Sequence, residues 1–558
     1  MSRLFALVAM LAVTACSTGP RKVGGQPSWR SASDDAGDDR DATSPGTTTA
    51  APTTLVLRPR GPGVAAYNDP PRTAAPLSPL GDAIAAEITA LAPKAAVPLA
   101  DGRLYNAAAD LAAIIEPEGV LPYPLIEFAL QHHGIIEPSP NMLVVWGPID
   151  EPRMIVEHLR PRLAELLVAE PQARFGIGAV DRGGRAAIVV MLQASFVETQ
   201  PIPRTLATGA RAPLVGKVAT GFSDPEAYLT GSDGAVRHLA LAVGADGSFR
   251  GEVTCASPGR QQLELAASDH TGSTVLANVP MWCGQAAPVE LAATIDAEDA
   301  APVTSVAAAE ARLLALLNRD RAAAGLPALV SDPAVAAVAR AHSQDMHDHD
   351  FVGHISPTTG SAADRAEVAG IKTGVVLENI ARAYGPAEAQ AGLMNSPGHR
   401  ANVLSTAATH VGIGVVLGDE VAGRRELFLT QMFIRIPPVL DPVAAREIVR
   451  AKLVTDDPKL SGDAALDAIA ADFAAELARG VPRAQAKVEV SRRLDAQAAR
   501  FRQAASVVTA VTELDAVVAR DLLGDRWADR VGVGLAQGLH PELGPGAYWL
   551  VLVLARAR

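Results

Sequence analysis

The chain has 558 residues, a formal net charge of -12, 49% hydrophobic residues and only 4% aromatic ones. That length holds three or four domains, each able to bury a core built mainly from Ala, Val, Leu and Ile. The acidic balance and the absence of a basic stripe exclude nucleic acid as a partner, because affinity for phosphate backbones comes largely from clustered Lys and Arg.

Arg3 supplies a positive start, and residues 4–13 form an apolar run too short to span a bilayer as a mature helix. The run ends in Val13-Thr14-Ala15-Cys16, which resembles the lipobox of bacterial lipoproteins. Residues 1–16 are therefore expected to be a lipoprotein signal peptide. Cleavage before Cys16 would leave a thiol and an amine for acylation, and two or more acyl chains anchor a protein stably. The resemblance implies the cell envelope, at the outer membrane, facing the periplasm or at the cell surface, with the leaflet open. An ordinary secretory signal with a chance cysteine is the alternative. Apart from Cys16 only Cys255 and Cys283 remain, and an oxidising compartment permits a disulfide between them. Two buried free thiols are the other reading. A zinc site on them is disfavoured, since neither has a second Cys or a His at ligand spacing.

Residues 17–75 are rich in Pro, Gly, Ser, Thr and Asp, which predicts a flexible tether. A folded module is expected over 76–204. There Leu104, Ala107, Ala108 and Leu111 recur at helical spacing, and 175–180, a turn at 181–184 and 186–192 read as a hairpin. Over 205–298 short apolar alternations are broken by turn residues, as in Ser257-Pro258-Gly259. That texture resembles an immunoglobulin-like β-sandwich, a module that spaces or presents other domains.

The next module spans 300–438. Residues 310–323 are helical with Gly325 as C-cap, and Asp332-Pro333 opens a second helix as N-cap plus first-turn proline. A loop follows over 351–360, and Ser396-Pro397 opens a third helix by the same logic. Val411-Gly412-Ile413-Gly414-Val415-Val416 and 427–434 close it as a hairpin. The last stretch, 439–558, echoes this order: Leu460-x-x-Asp463 matches Leu329-x-x-Asp332, and Val531-Gly532-Val533-Gly534 begins another closing hairpin. Three related modules are expected, the outer two degenerate.

Five blocks carry a resemblance. They are Leu317-Asn318-x-x-Arg321-x-x-x-Gly325-Leu326-Pro327-x-Leu329; Ala341-His342-Ser343-x-Asp345-Met346; Phe351-x-x-His354-x-Ser356-Pro357; Glu378-Asn379-Ile380-Ala381; and Met394-Asn395-Ser396-Pro397-Gly398-His399-Arg400-Ala401-Asn402-Val403-Leu404. In this order they are similar to the CAP superfamily (cysteine-rich secretory proteins, antigen 5 and pathogenesis-related proteins), known in bacteria as SCP-like domains. Together with the modules read above, the resemblance gives a multidomain α+β protein. Its centre would be a CAP α-β-α sandwich over 300–438, preceded by the immunoglobulin-like module and flanked by degenerate CAP-like α+β modules at 76–204 and 439–558. It also implies a shallow cleft lined by His354, His399 and Glu378. The family's second acid is missing: the corresponding stretch reads Leu393-Met394-Asn395-Ser396, with Leu in place of Trp. Leu377 replaces the Gly before the Glu-Asn pair, and a Pro-Asp-Gly loop becomes Pro357-Thr358-Thr359-Gly360.

His399 falls in the first turn of a helix, where the macrodipole disfavours imidazolium. Two neutral His and one Glu leave an open position on a divalent metal such as zinc, the pattern of a catalytic site. The alternative is a hydrogen-bonded cluster fixing three loops. No helical His-Glu-x-x-His pair exists. His342, Asp345 and His349 share a helical face expected to be solvated or capping. His132-His133 stands alone, with Glu127 on another face. Ser343 and Ser356 lack a nucleophile elbow, and Arg400 and Asn402 read as packing and loop-fixing residues. Three functions follow: a non-catalytic binding or scaffold protein, a metal-assisted hydrolase of peptide or cell-wall substrates, or a lipid-binding protein. The partners implied are the membrane through Cys16 and an envelope protein, lipid or cell-wall component.

Overall fold

A computed structural model of the chain describes residues 8–11, 53–68, 78–117, 121–138, 140–169, 172–295, 303–421, 424–437, 439–541 and 543–558. Three of its sheets are wired alike. In the central one the short strand Val330–Ser331 runs parallel to His410–Val421, which pairs antiparallel with Arg424–Ile434, which pairs antiparallel with Val376–Ala383. The same order joins Ser461–Gly462, Arg530–His540, Gly544–Ala557 and Phe501–Val511. It also joins Leu99–Ala100, Arg174–Asp181, Arg185–Gln193 and Asn141–Pro148.

The wiring has a local cause. Each short strand leads into an aspartate, Asp101, Asp332 or Asp463, whose carboxylate accepts from first-turn amides of the following helix. The backbone N–H of the same aspartate donates to the hairpin strand, at the carbonyls of Phe175, Val411 and Val531. One residue thus starts the helix and pins it to the sheet. The Gly-x-Gly pairs of the hairpin strands lie beneath that helix. A Cβ on Gly412 would fall 2.2 Å from the carbonyl carbon of Val335, and one on Gly414 2.0 Å from the Arg340 amide nitrogen. Gly176 and Gly178 meet Leu104 and Ala108 in this way, and Gly532 and Gly534 meet Leu466 and Ala470. Helix backbone rests directly on strand backbone, which only glycine allows.

In the central module the sheet is covered on both faces. The helices Val306–Ala323 and Pro386–Asn395 bury Leu313, Leu317 and Leu393 against Val411, Leu429 and Phe433. The helix Pro333–Asp348 sets Val335 and Ala339 against Met432, and Met346 against Phe428. The first helix ends as expected, with Gly325 at a φ of 72° and the Leu326 amide donating to the Arg321 carbonyl at 2.9 Å.

Between the first two modules lie two facing sheets. One contains Thr205–Leu206, Gly272–Cys283, Gly259–Asp269, Ser223–Thr230 and Val236–Leu239; the other contains Ala242–Val243, Ser248–Thr254, Arg211–Val218 and Val197–Thr199. Leu214 and Phe249 from one sheet pack on Leu263 and Val279 from the other. Cys255 and Cys283 form a disulfide with Cα atoms 5.5 Å apart, linking the ends of the two sheets. Val197–Thr199, ahead of the expected boundary at 205, belongs to this sandwich, whereas Leu291–Ile295 leaves it.

The tether expectation fails over 53–68. Thr53–Leu57 pairs antiparallel with Leu291–Ile295, and Leu57 is buried. Ala66–Tyr67 pairs with Ile202–Pro203, and the buried Tyr67 hydroxyl donates to the Pro280 carbonyl at 2.6 Å. A few apolar side chains bury enough surface to order a stretch whose composition is otherwise that of a linker. Residues 17–52 and 69–75 of the expected tether lie outside the described residues. Within the expected signal peptide, Val8–Leu11 adds as an edge strand antiparallel to Asn141–Pro148, while Cys16 and its cleavage site lie outside the described residues. Among the described residues no helix is long and apolar enough to cross a membrane.

Candidate functional site

Three elements bring the predicted residues together. His354 sits on the loop after the helix Pro333–Asp348, Glu378 on the edge strand Val376–Ala383, and His399 in the helix Pro397–Val403. His354 Nδ1 lies 3.0 Å from Glu378 Oε1. The rings of His354 and His399 face each other at 6.3 Å between centroids.

Glu378 has a second partner that sequence reasoning missed. Arg365, in the helix Ala362–Val368, donates Nη2 to Glu378 Oε2 and Nη1 to the Gly360 carbonyl at 2.6 Å. Both Arg365 and Glu378 are buried. A capping box of Ser361 and Asp364 holds this short helix in place. Burial pushes the Glu378 carboxyl up, but the hydrogen bond from His354 and the nearby His342, His354 and Arg365 outweigh it, holding the group below the usual carboxylate range.

His399 is held by Ser396, whose Oγ lies 2.9 Å from His399 Nδ1. Burial, and then the adjacent His354, lower the His399 imidazole to about 3, so it is neutral at physiological pH. Ser396 does not cap its own helix as expected. Its Oγ donates instead to Glu264 Oε2, a carboxylate from the sandwich strand Gly259–Asp269. Glu264 Oε1 accepts from the Gly398 amide at 2.9 Å, so the neighbouring domain caps this helix. Glu264 is 1% exposed, and burial raises its carboxyl to about 7 despite the hydrogen bonds from Ser396 and Gly398.

The sandwich also covers the His354 loop. The Ile355 amide donates to the Thr271 carbonyl at 2.7 Å, and a Cβ on Gly272 would lie 3.1 Å from His354 Cβ. Arg400 extends across the interface toward the Gly234 carbonyl instead of fixing a loop of its own module. Asn402 and Asn379 act within the module: Asn402 Nδ2 donates to the Glu378 carbonyl and to Asn379 Oδ1, both at 3.0 Å, and Asn379 Nδ2 donates to the His399 carbonyl. As a result Glu378 and His399 are buried, and the His354 side chain keeps 24% exposure.

This donor set does not fit the divalent metal expected of two His and one Glu. Both Glu378 oxygens are engaged, one of them by a buried guanidinium whose charge opposes a second cation. That leaves no acid facing an open position between the two imidazoles. Among the described residues no three His, Cys, Asp or Glu side chains are grouped as a metal requires. The arrangement can hold three loops and one interface in place, and it can pass a proton along Glu264, Ser396 and His399.

The remaining candidates separate. His342 is fully buried rather than solvated, because the loop at 351–354 folds over that helical face. Its Nε2–H donates to the Gly353 carbonyl at 3.0 Å, and burial lowers it to about 4. Asp345 bonds Thr358 Oγ1 at 2.9 Å and pairs with His349, tying the loop to the helix. His132 Nε2–H donates to the Gly61 carbonyl, and His133 pairs at 2.7 Å with the buried Asp110, whose carboxylate accepts from the Arg60 amide, so the first directly and the second through Asp110 hold the 53–68 segment. Glu127 lies apart from them, as its spacing implied, and accepts from Tyr123 and Asn395. Ser343 donates to the Gly414 carbonyl and Ser356 accepts turn amides. The Asn318 and Arg321 block is structural: Arg321 donates to the carbonyls of Pro327, Val403 and Ser405.

Comparison with known proteins gives a family match within the central module. Residues 314–433 match the model of the cysteine-rich secretory protein family, CAP. YkwD, an uncharacterized protein of Bacillus subtilis (strain 168), is 41% identical over 114 residues, 20% of this chain and 44% of that protein. YlbC, an uncharacterized membrane protein of the same organism, is 40% identical over 108 residues, 19% of this chain and 31% of that protein. The chain thus spans less than half the length of these relatives. An extracellular SCP-domain protein from Bacillus anthracis str. Ames aligns with 54% of this chain and 88% of its own, at 17% identity and a TM-score of 0.22. The blocks, the α-β-α layering and the family match coincide on one segment, and residues 314–433 form a CAP domain.

Proposed function

We propose that this chain is an extracytoplasmic, lipid-anchored binding or scaffold protein in which His354, Glu378 and His399 organise structure and perform no catalysis. The observation that carries this reading is the engagement of Glu378 on both oxygens, by His354 and by the buried Arg365. A general base or metal ligand must face substrate; here the carboxylate is buried and turned to its own loops, with the sandwich over them. The lipobox at Cys16, the Cys255–Cys283 disulfide and the membrane assignment carried by YlbC's name support the envelope location. The outer modules are read as degenerate CAP copies, on the strength of their repeated strand order and aspartate caps. The sandwich is read as an immunoglobulin-like spacer.

The test pairs stability with turnover. His354→Ala/His399→Ala in the full chain lowers the thermal midpoint, and neither wild type nor variant hydrolyses peptides or cell-wall glycan, with or without zinc. Hydrolysis by the wild type that disappears with His399→Ala sinks the reading, and only hydrolysis that also requires zinc favours the metal-assisted hydrolase. For the anchor, Cys16→Ser moves the protein from the membrane to the soluble fraction; a variant that stays membrane-bound refutes the lipid attachment.

A further inference from the structure

Three modules meet around one cavity of about 410 Å³, within the roughly 300–1,000 Å³ usual for small-ligand sites. The helix Tyr123–His132 of the first module, the sandwich strand Gly272–Cys283 and the CAP helix Pro386–Asn395 each supply part of its wall. Phe128, Trp282 and Met394 supply apolar wall, and Arg204, Arg260 and Glu127 supply its charged groups.

The charges are unbalanced. Arg204 is 5% exposed, and its Nε is buried without a hydrogen-bond partner; its Nη2 reaches the Pro288 carbonyl at 3.5 Å, and the guanidinium also meets the neutral Tyr67 hydroxyl. Arg260 donates to the neutral side chains of Gln262 and Asn395. Among the described residues, Glu127 is the one acid lining this cavity; its oxygens accept from Tyr123 and Asn395, and its charge acts on Arg260 and not on Arg204. A desolvated cation without an ionic partner is costly, and an anion entering beside it removes that cost. The indole Nε1 of Trp282 is a further buried donor without a partner.

We propose that this junction binds a small monocarboxylate with an apolar body, its carboxylate on Arg204 and Arg260 and its body against Phe128, Trp282 and Met394. The inference goes beyond the reading of the His354–Glu378–His399 site, since it concerns a different place and stands whether or not that site turns anything over. An aryl or alkyl body suits the flat ring of Trp282 and the flexible Met394. A neutral or cationic amphiphile of the same size forfeits the interaction with the two guanidinium groups.

Isothermal titration tests this on the purified full chain carrying Cys16→Ser, with decanoate as probe and decanol and decylamine as controls. Decanoate binds one-to-one, and both controls bind at least about tenfold more weakly. Arg260→Gln, at a side chain reaching solvent, weakens decanoate binding by about tenfold or more, and Met394→Trp fills the cavity and abolishes it. Far-UV circular dichroism of both variants matches the wild type; if one of them unfolds, the other decides. Absence of decanoate binding in the wild type, equal binding of decylamine, or undiminished binding by the folded variants overturns the proposal. The His354→Ala/His399→Ala variant separates the two readings: it retains decanoate binding, and loss there would place the ligand in the histidine site and overturn the junction.

Discussion

Glu264 of the sandwich and His399 of the CAP domain are joined through one hydroxyl, that of Ser396, which donates to Glu264 Oε2 and lies 2.9 Å from His399 Nδ1. While Glu264 is ionised, Ser396 gives its proton to the carboxylate and accepts from His399 Nδ1–H. That leaves Nε2 as the bare nitrogen of a neutral ring. When Glu264 is protonated, its O–H donates to Ser396, Ser396 donates to Nδ1, and the ring proton sits on Nε2. Burial places the Glu264 transition at about 7 and keeps His399 neutral on both sides of it. We predict that ¹⁵N NMR of labelled histidine shows the His399 tautomer switching near neutral pH, and that Glu264→Gln holds it in one form. A single tautomer across the whole titration would show that the serine does not relay.

The same residue sets a pH dependence of stability. Its folded pKa lies above that of a free glutamate, so between about 4.5 and about 7 the folded chain holds a proton that the unfolded chain has released. Its contribution to stability is therefore full at the acid end of this window and is lost as pH rises through it. Glu127 is also raised to about 7 by burial and acts in the same sense, so comparison of wild type with Glu264→Gln isolates the one group. Glutamine mimics the protonated acid. The variant should gain about 1–3 kcal/mol on the wild type between pH 5 and pH 8, by urea unfolding. A difference that stays constant with pH would contradict the assignment.

Glu264 is not legible in the sequence as a site residue. It stands in Leu263-Glu264-Leu265, an alternation in which the leucines face the sandwich core and the glutamate faces a module more than a hundred residues away in sequence. Alternation shows which face a residue takes; it does not show what will cover that face. Arg365 was hidden for a similar reason, since nothing near it in sequence marks a buried cation. The residues legible in advance were those whose partners are local: Asp332, capping its own helix, and Gly325, ending one. The first module's version of the aspartate signal is masked in the sequence, because Pro98-x-x-Asp101 has proline where the other modules have Leu329 and Leu460. The strand at 53–57 was missed because its partner, Leu291–Ile295, lies across the whole of the first module and the sandwich.

Arg365 and Glu378 form a buried ion pair, and removing one partner leaves the other charge uncompensated. Arg365→Gln should destabilise the chain by about 3–5 kcal/mol in the transition assigned to the CAP domain. The double variant Arg365→Met/Glu378→Gln should recover much of that loss, because it leaves no unpaired charge. Calorimetry of the two variants beside the wild type distinguishes this from a merely steric effect, in which the double change would be at least as harmful as the single one.

The Gly-x-Gly pairs make a sharper claim about the repeated architecture. A Cβ at Gly414 would meet the Arg340 amide nitrogen at 2.0 Å, and one at Gly534 would meet the Ala470 carbonyl carbon at 2.1 Å. Both obstacles are helix backbone, so no side-chain rotation relieves them. The helix must lift from the sheet, opening the contacts of Val335 and Ala339 in one module and of Leu466 and Phe473 in the other. Gly414→Ala and Gly534→Ala should each cost about 3 kcal/mol, near the upper end of typical overpacking penalties, although each adds a single methyl group. Gly370→Ala serves as the control: that glycine has a φ of 74° and open space around it, so only the backbone penalty of about 1–2 kcal/mol applies. If both strand variants unfold no earlier than this control, helix and strand do not touch backbone to backbone, and the common construction of the modules loses its physical basis.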